Sequence, residues 1–561
     1  ELFKSESEKF ISFYFNRLAI LDLSSQASQP MVSKEFNTTV MFNGEIFNHK
    51  YLRSILEKEG IKFNSSHSDT EVVLNGLSYF GLDFIKKLEG QFAIAFFDIK
   101  ENKLFLVRDR LGQKPLFYAY NDDKLVFSST LKSLALVDDV KQVNYESMVD
   151  YFDYGVVPSP KTIFRNIFKL RPAEIIEFDI TKNIKLNKKL IYWNIEDNFD
   201  YQSFNKDKFD NLFFEAVEKR LDADVPIGIF LSGGIDSSSI VNQLSNMNKD
   251  LKTFSIGYSD PKYDESKWFD LVSDIYSTTQ QTVWLNKNDI DKNIQESIDI
   301  FDEPYSDPST VPSFLISKAI SEKYKVAISG DGGDELLYGY ERAKFMSSRK
   351  FRRLNFDIVN KYYPNYFGTG NNFTKFDRLS EIAYASFFSD KKFLNILDLK
   401  SNHTFEKKYF KELNNPYKTS LNIEYNFFLS EMMMLKVDTT SMANSLEIRS
   451  PFLDHKLIEY VVSIDTVKDS KTFNKTILKE KLEKDMGKEF TNRKKMGFVF
   501  NLESWVYTNI DEIFETINNS KIDIEASQLK SLLRVKSRVN SQRIWRIYFL
   551  ANYLDWFNNR I

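Results

Sequence analysis

The segment Val225–Leu231 reads as a buried strand. It runs straight into Ser232-Gly233-Gly234-Ile235-Asp236-Ser237-Ser238, and a helical pattern follows over Ser237–Leu244. This strand–glycine pair–helix junction constrains the chain more than any other feature. A glycine pair lets successive backbone N–H groups close around an anion, and the start of a helix adds a favourable dipole field. Ser232 and Ser237 contribute hydroxyl donors. Asp236 would repel phosphate on its own, so its natural partner is a bridging Mg2+. The alternative is a glycine-rich turn capped by serine, but the SGGxDS pattern is long and specific. No GxxxxGKS/T occurs, so the loop is not of the Walker type.

The sequence around this junction alternates. Thr253–Ile256 reads as strand, Glu265–Tyr276 as helix, Thr282–Leu285 as strand, Pro312–Glu322 as helix and Lys325–Ser329 as strand. Such alternation predicts a parallel sheet with helices on both faces. Beyond about Glu341 the pattern is mostly helical, with amphipathic candidates at Ile423–Ser445 and Gln542–Phe557. The first third has a different rhythm. Short apolar runs at Leu18–Leu23, Thr39–Phe42, Phe92–Asp98, Leu104–Val107, Leu116–Tyr120 and Leu125–Ser128 are separated by turn-formers such as Asn43-Gly44 and Asn121-Asp122-Asp123. Helical patterns interrupt them near Tyr51–Glu59 and Thr70–Tyr79. Stacked antiparallel sheets are predicted here. The polar stretch Lys182–Gln202 reads as the connection. The expectation is an α+β domain over 1–190 and an α/β parallel-sheet domain with a helical C-terminal part over 203–561.

A second loop, Ser329-Gly330-Asp331-Gly332-Gly333-Asp334-Glu335, follows a later strand. Loops at the carboxyl ends of parallel strands are where open α/β sheets bind ligands. Asp236 and Asp334 would then flank one magnesium–triphosphate. Taken alone, the second loop could be a charged turn. Composition narrows the chemistry. These 561 residues contain no cysteine, which excludes disulfides, thiolate zinc sites and a thiol nucleophile within them. The four histidines, His49, His67, His403 and His455, show no paired-ligand spacing. A formal net charge of −3 excludes a bulk polycation for nucleic acid. No apolar run reaches the roughly 18 residues of a membrane helix. Small-molecule substrates and a cytoplasmic setting are expected, with no nucleic-acid or membrane partner; a homodimer is compatible with the sequence.

The first loop resembles the pyrophosphate loop of the ATP pyrophosphatases, which split ATP between its α- and β-phosphates. Further segments resemble the asparagine-synthetase family within that group. They are Lys436-Val437-Asp438, Ser441-Met442, Glu447-Ile448-Arg449-Ser450-Pro451-Phe452-Leu453-Asp454 and Arg493-Lys494-Lys495-Met496-Gly497-Phe498. In the N-terminal third, Arg17-Leu18, Asn43-Gly44-Glu45-Ile46-Phe47-Asn48, Ser68-Asp69-Thr70-Glu71 and Arg108-Asp109-Arg110-Leu111-Gly112-Gln113-Lys114-Pro115-Leu116 resemble a class II (N-terminal-nucleophile) glutamine amidotransferase domain. The resemblance covers nearly the whole chain.

The resemblance implies an ATP-dependent amidotransferase. It would adenylate the aspartate side chain, release pyrophosphate and form an amide with ammonia from glutamine. ATP would meet Leu231, Ser232, Gly233, Gly234, Asp236, Ser237, Ile256, Ser329 and Gly330, with Mg2+ at Asp236 and Asp334. Asp331 would take a proton and Lys495 would reach the phosphates. Asp454 could belong to the site or simply cap the next helix. Arg17 would pair with the glutamine α-carboxylate and Asp69 with its α-ammonium. Asn43 and Gly44 would form the oxyanion hole, with Glu45 beside them. In isolation, Asn43-Gly44 would read as a hairpin turn.

Three departures stand out. The family's nucleophile is an N-terminal cysteine lying some tens of residues upstream of the arginine matched by Arg17, yet only sixteen residues precede Arg17. A missing segment is the expectation, and the chain as given should use ammonia without hydrolysing glutamine. Phe301–Pro312, where the acceptor would approach, offers Asp302, Glu303 and Asp307 but no arginine for an aspartate α-carboxylate. Thr440 stands where dedicated asparagine synthetases often present a basic residue. Aspartate remains the leading acceptor, with a uronate or natural-product acid as the alternative. A non-catalytic homologue would be expected to carry eroded phosphate loops, and both loops are intact.

Overall fold

The computed structural model describes residues 2–4, 10–135, 142–247, 250–343, 388–409, 413, 415–493, 500–520 and 522–560. A short hairpin, β1 (Leu2–Lys4) with β2 (Phe10–Ser12), comes first. Next in sequence are β3 (Met31–Ser33), β4 (Thr38–Ile46), β5 (Gly90–Asp98), β6 (Lys103–Arg108), β7 (Phe117–Tyr120), β8 (Leu125–Ser128), β9 (Phe168–Lys169), β10 (Glu174–Asp179) and β11 (Lys185–Ile191). They form a six-stranded antiparallel sheet in the order β11-β10-β6-β5-β4-β3 and a three-stranded sheet in the order β8-β7-β9. The period of two along β5 explains the layering. Phe92, Ile94 and Phe96 pack beneath α1 (His49–Lys58) and α2 (Asp69–Phe80), beside Leu52 and Val73. Ala93, Ala95 and Phe97 face Tyr118 of β7 on the other side. The expected stacked antiparallel architecture is present.

The second region is built on a five-stranded sheet. Its strands are β12 (Ile227–Phe230), β13 (Lys252–Tyr258), β14 (Thr279–Leu285), β15 (Val326–Ile328) and β16 (Glu447–Arg449), in the order β14-β13-β12-β15-β16. Every pairing in it is parallel. Helices α3 (Lys206–Lys219), α4 (Ile235–Ser245), α5 (Ser266–Tyr276), α6 (Lys287–Asp299) and α7 (Thr310–Ser321) accompany it. The chain moves outward from β12 through β13 to β14, then crosses back to β15 and β16. The strand order therefore reverses between β12 and β15, which opens a crevice at their carboxyl ends. A continuous helical run follows as Pro416–Ile423, a π-helical segment Glu424–Met433, and α8 (Met434–Met442). Then come α9 (His455–Ser463), α10 (Thr476–Asn492) and α11 (Arg538–Arg560). One apolar core joins both regions, from Phe117 and Leu131 to Phe301 and Trp545. Among the described residues, no helix is long and apolar enough to cross a membrane.

Three expectations are corrected. Leu18–Leu23 is not a strand: the Arg17 guanidinium takes the carbonyls of Leu21 at 3.0 Å, Asp22 at 2.5 Å and Ser24 at 3.0 Å, curling the segment into a loop. Asn43-Gly44 is not a turn but lies inside β4, where Gly44 pairs with Phe92. A Cβ at Gly44 would sit 1.9 Å from the Gln91 carbonyl oxygen, so glycine serves close strand approach here. Lys182–Gln202 is not a plain connection either. Lys185, Lys188 and Lys189 belong to β11, an edge strand, and charged side chains suit an edge. Strand β16 and helix α6 were not expected.

Candidate active site

The loops after β12 and β15 meet in the crevice. Gly233 has φ +71°, and a Cβ there would lie 2.7 Å from the Phe269 nitrogen. Ser232 and Ser237 face each other across the turn with hydroxyls 3.1 Å apart, and the Gly234 N–H donates to Ser232 Oγ at 3.2 Å. A Cβ at Gly330 would lie 3.0 Å from Asp236 Cβ, and one at Gly333 would lie 2.6 Å from Asp236 Oδ1. The two glycine-rich loops are thus stacked on one another. Asp331 accepts from Ser329 Oγ at 2.8 Å, and its carbonyl accepts from the Ser450 hydroxyl. Leu231 is tied into the sheet. Its N–H donates to the Phe254 carbonyl at 2.8 Å and its carbonyl accepts from Ser255 Oγ at 2.6 Å, which leaves that carbonyl one lone pair. Ile256 lies buried on the neighbouring strand β13.

Asp236 and Asp334 converge from the two loops on one cation that the motifs do not announce. Lys475 Nζ donates to Asp236 and lies 2.5 Å from Asp334 Oδ1. The two carboxylates hold the Lys475 ammonium well above the ordinary lysine range, against the opposing effect of burial. The backbone is contorted to bring it there. Asn474 and Lys475 have φ values of +54° and +58°, rare for non-glycine residues and a cost concentrated at functional sites. Two oxygen donors converging beside a phosphate-type cradle suit Mg2+, which usually takes one or two carboxylates and fills its remaining positions from phosphates and water. Among the described residues no group of three or more acidic or histidine side chains offers a complete metal cage. Lys495 lies outside the described residues. Arg493, the last described residue before it, donates to the Gly233 carbonyl and stacks over Trp268, so that Arg493 itself lies against the first loop.

The N-terminal candidates gather at the end of β4. Asp69 opens α2, and its carboxylate accepts from the Ile46 N–H at 3.1 Å, fastening it to the strand that carries Asn43, Gly44 and Glu45. Burial raises Asp69 from 3.8 to about 6, with Glu447 adding to the shift and His49 opposing it. Glu45 is also buried and held well above the usual carboxylate range. Burial dominates, Arg449 opposes it, and Asp69, Glu447 and Asp222 reinforce it. Glu45 is an ion-pair partner of Arg449, with oxygen and nitrogen 3.0 Å apart. Arg17 lies in the adjoining loop. That loop is bound to the second region through Asp224, which accepts from the Asp22 N–H at 2.7 Å and contacts His67 Nε2 at 2.6 Å.

Other quoted residues have plainer roles. Asp454 caps α9 by accepting from the Lys456 N–H at 3.0 Å, and it pairs with buried Arg220 at 3.2 Å. Asp302 accepts from the Leu131 N–H at 2.8 Å, and Glu303 pairs with Lys169. Only Asp307 of that trio approaches a lysine of the KVD segment, Lys436, at 3.8 Å. The Asp109 carboxylate gathers the N–H groups of Leu111, Gln113 and Lys114, each at 3.0 Å, and so presents Lys114 to Asp438 at 2.9 Å. A small cavity lies there, lined by Gln91, Gln113, Lys114, Asp438, Ser329 and Asp331 among others. It has room for about one or two water-sized molecules.

Residues 5–193 match the glutamine amidotransferase domain family, and residues 208–555 match the asparagine synthase family. These two regions together define a glutamine-dependent, ATP-using ligase. The chain belongs to the asparagine synthase family. It is 35% identical over 352 residues to a putative asparagine synthetase (glutamine-hydrolyzing) 2 of Methanocaldococcus jannaschii, covering 58% of this chain and 66% of that protein. It is 27% identical to asparagine synthetase (glutamine-hydrolyzing) 1 of Bacillus subtilis over 96% of this chain and 89% of that protein. Asparagine synthetase (glutamine-hydrolyzing) 2 of the same organism is 28% identical over 87% of this chain and 66% of that protein.

Proposed function

We propose that the second region adenylates the side-chain carboxylate of aspartate and joins ammonia to it, and that the first region binds glutamine as the ammonia source. The observation that carries this is the meeting of both glycine-rich loops at Asp236, Lys475 and Asp334. ATP would lie across the crevice, its base near Leu231 and Ile256 and its sugar side near Ser329 and Gly330. The Gly233–Gly234 turn, Ser232 and Ser237 would hold the β- and γ-phosphates, with Lys495 as a further cation. Asp236 and Asp334 are the residues that would hold magnesium, which when bound offsets the charge of the triphosphate.

The acceptor carboxylate oxygen attacks the α-phosphorus and the α–β bond breaks. The electron pair leaves with pyrophosphate, where the Lys475 ammonium stabilises the growing charge. Ammonia then attacks the acyl carbon, AMP departs, and the excess proton passes to Asp331. The cavity between Gln91 and Asp331 is of a size to pass ammonia between regions. In the first region Arg17 and Asp69 would hold the glutamine α-carboxylate and α-ammonium. Asn43 and Gly44 would face the amide oxygen, with Glu45 beside the ammonium. Incubation with ATP, aspartate and ammonia is expected to release AMP and pyrophosphate in equal amounts. If aspartate is inert while another carboxylate supports AMP formation, the same chemistry serves that acceptor. The absence of an arginine in Phe301–Pro312 supports this second reading.

Asp69 makes a pH prediction. In the empty pocket it titrates near 6, raised from 3.8. Its contribution to stability is therefore present below about pH 4 and is lost as pH rises through about 6. An α-ammonium needs the ionised form. Glutamine affinity measured by calorimetry should be constant above about pH 7 and fall toward ten-fold per pH unit below about 6. Asp69→Asn should abolish that pH dependence together with most of the binding.

A further inference from the structure

Arg449 ends β16 with a fully buried side chain, 0% exposed. Its guanidinium reaches the first region. Nη2 lies 3.0 Å from Glu45, Nε donates to Glu447 at 2.8 Å, and Nη1 donates to the Asp222 carbonyl at 2.7 Å and the Arg220 carbonyl at 3.3 Å. Its main chain belongs to the second site. The Arg449 carbonyl accepts from the Ser329 N–H at 3.0 Å, and the next residue, Ser450, donates its hydroxyl to the Asp331 carbonyl. One residue therefore holds the strand of the glutamine pocket with its side chain and the second phosphate loop with its backbone.

We infer that Arg449 is a positioning residue through which an occupied glutamine pocket sets the second phosphate loop. The inference rests on the function proposed above. Glu45, Asp69 and Glu447 are all buried around this guanidinium, with His49 alongside Asp69. With the pocket empty, Arg449 serves Glu45 through Nη2 and Glu447 through Nε at the same time. An α-ammonium arriving at Glu45 and Asp69 satisfies the first of these charges. Arg449, released from Glu45, then gives its guanidinium wholly to the contacts it already makes with Glu447 and the two carbonyls, which consolidates the end of β16 and the loop fastened to it. Glutamine should tighten ATP binding, and ATP should tighten glutamine binding by the same factor, since coupling of equilibrium affinities is reciprocal.

These 561 residues contain no cysteine, so in a protein made of them glutamine should serve as a ligand that is not consumed. Calorimetry would measure glutamine affinity with and without ATP and magnesium, and ATP affinity with and without glutamine. Both factors are expected to agree and to be about five-fold or more. In steady-state assays with ammonia, glutamine should lower KM for ATP and leave kcat unchanged. Arg449→Lys should return the factor to one while each ligand still binds alone. Should that variant not fold, Glu447→Gln removes the charge that fixes Nε and should likewise lose most of the coupling. If both ligands bind the unaltered chain and neither changes the other's affinity, the inference is overturned and the proposed function stands. If either ligand fails to bind at all, the proposed function falls and takes the inference with it. Full coupling retained in a folded variant overturns the assignment to Arg449.

Discussion

Replacing Lys475 with methionine should lower ammonia-dependent pyrophosphate release by about 10²–10³-fold, the usual loss when one pre-set group facing a developing charge is removed. The argument is geometric. Lys475 is buried, and it is the group on which carboxylates from both phosphate loops close. Its left-handed backbone is fixed by a 2.9 Å bond from its N–H to the Leu337 carbonyl. Gly339 lets the chain close over the clasp, since a Cβ there would lie 2.0 Å from Asp334 Oδ1. Without the ammonium, Asp236 and Asp334 repel each other. In magnesium-free buffer the variant should lose about 3 kcal/mol of stability, as expected when one partner of a buried charge set is removed. Magnesium should raise the melting temperature of the variant more than that of the parent. A folded K475M enzyme with unimpaired turnover would place the chemistry elsewhere.

Gly44→Ala should be nearly as damaging, and in the first region. The new methyl group would lie 1.9 Å from the Gln91 carbonyl oxygen and 2.8 Å from Phe92 Cα, both backbone atoms of a central strand. Neither can swing aside as a side-chain end could. The φ of +146° adds strain for an L-residue. A loss of about 3 kcal/mol is expected, from overpacking that only separation of β4 from β5 could relieve. That separation would displace Asn43, Glu45 and the Ile46 N–H that holds Asp69, so glutamine binding should vanish as well. Calorimetric unfolding and a glutamine titration would check both. Parental stability in this variant would mean that Gly44 does not pair with Phe92.

The parallel sheet and its two loops were legible because glycine pairs, hydroxyls and carboxylates at the ends of apolar strands leave a local signature. The convergence of the loops was not written in either motif alone. It follows from the strand order, in which β12 lies between β13 and β15. Lys475 was missed because a single lysine before a helix carries no pattern; its role shows only in the folded chain, where carboxylates of both loops close on it. Arg449 stood in a quoted segment, but its partners Glu45 and Asp222 are hundreds of residues away in sequence. Asn43-Gly44 misled in the opposite sense. The dipeptide is a strong local turn signal, yet pairing along β4 overrode it because glycine was needed for contact with Gln91. Leu18–Leu23 was apolar enough for a strand, but Arg17 captured its carbonyls before a neighbouring strand could.

The central claim is that an acceptor oxygen attacks the α-phosphorus of ATP. Aspartate labelled with oxygen-18 in its side-chain carboxylate should, with ATP and ammonia, deliver one labelled oxygen to AMP and none to pyrophosphate. Label recovered in inorganic phosphate, with ADP as the nucleotide product, would contradict the account, because attack would then have fallen on the γ-phosphorus.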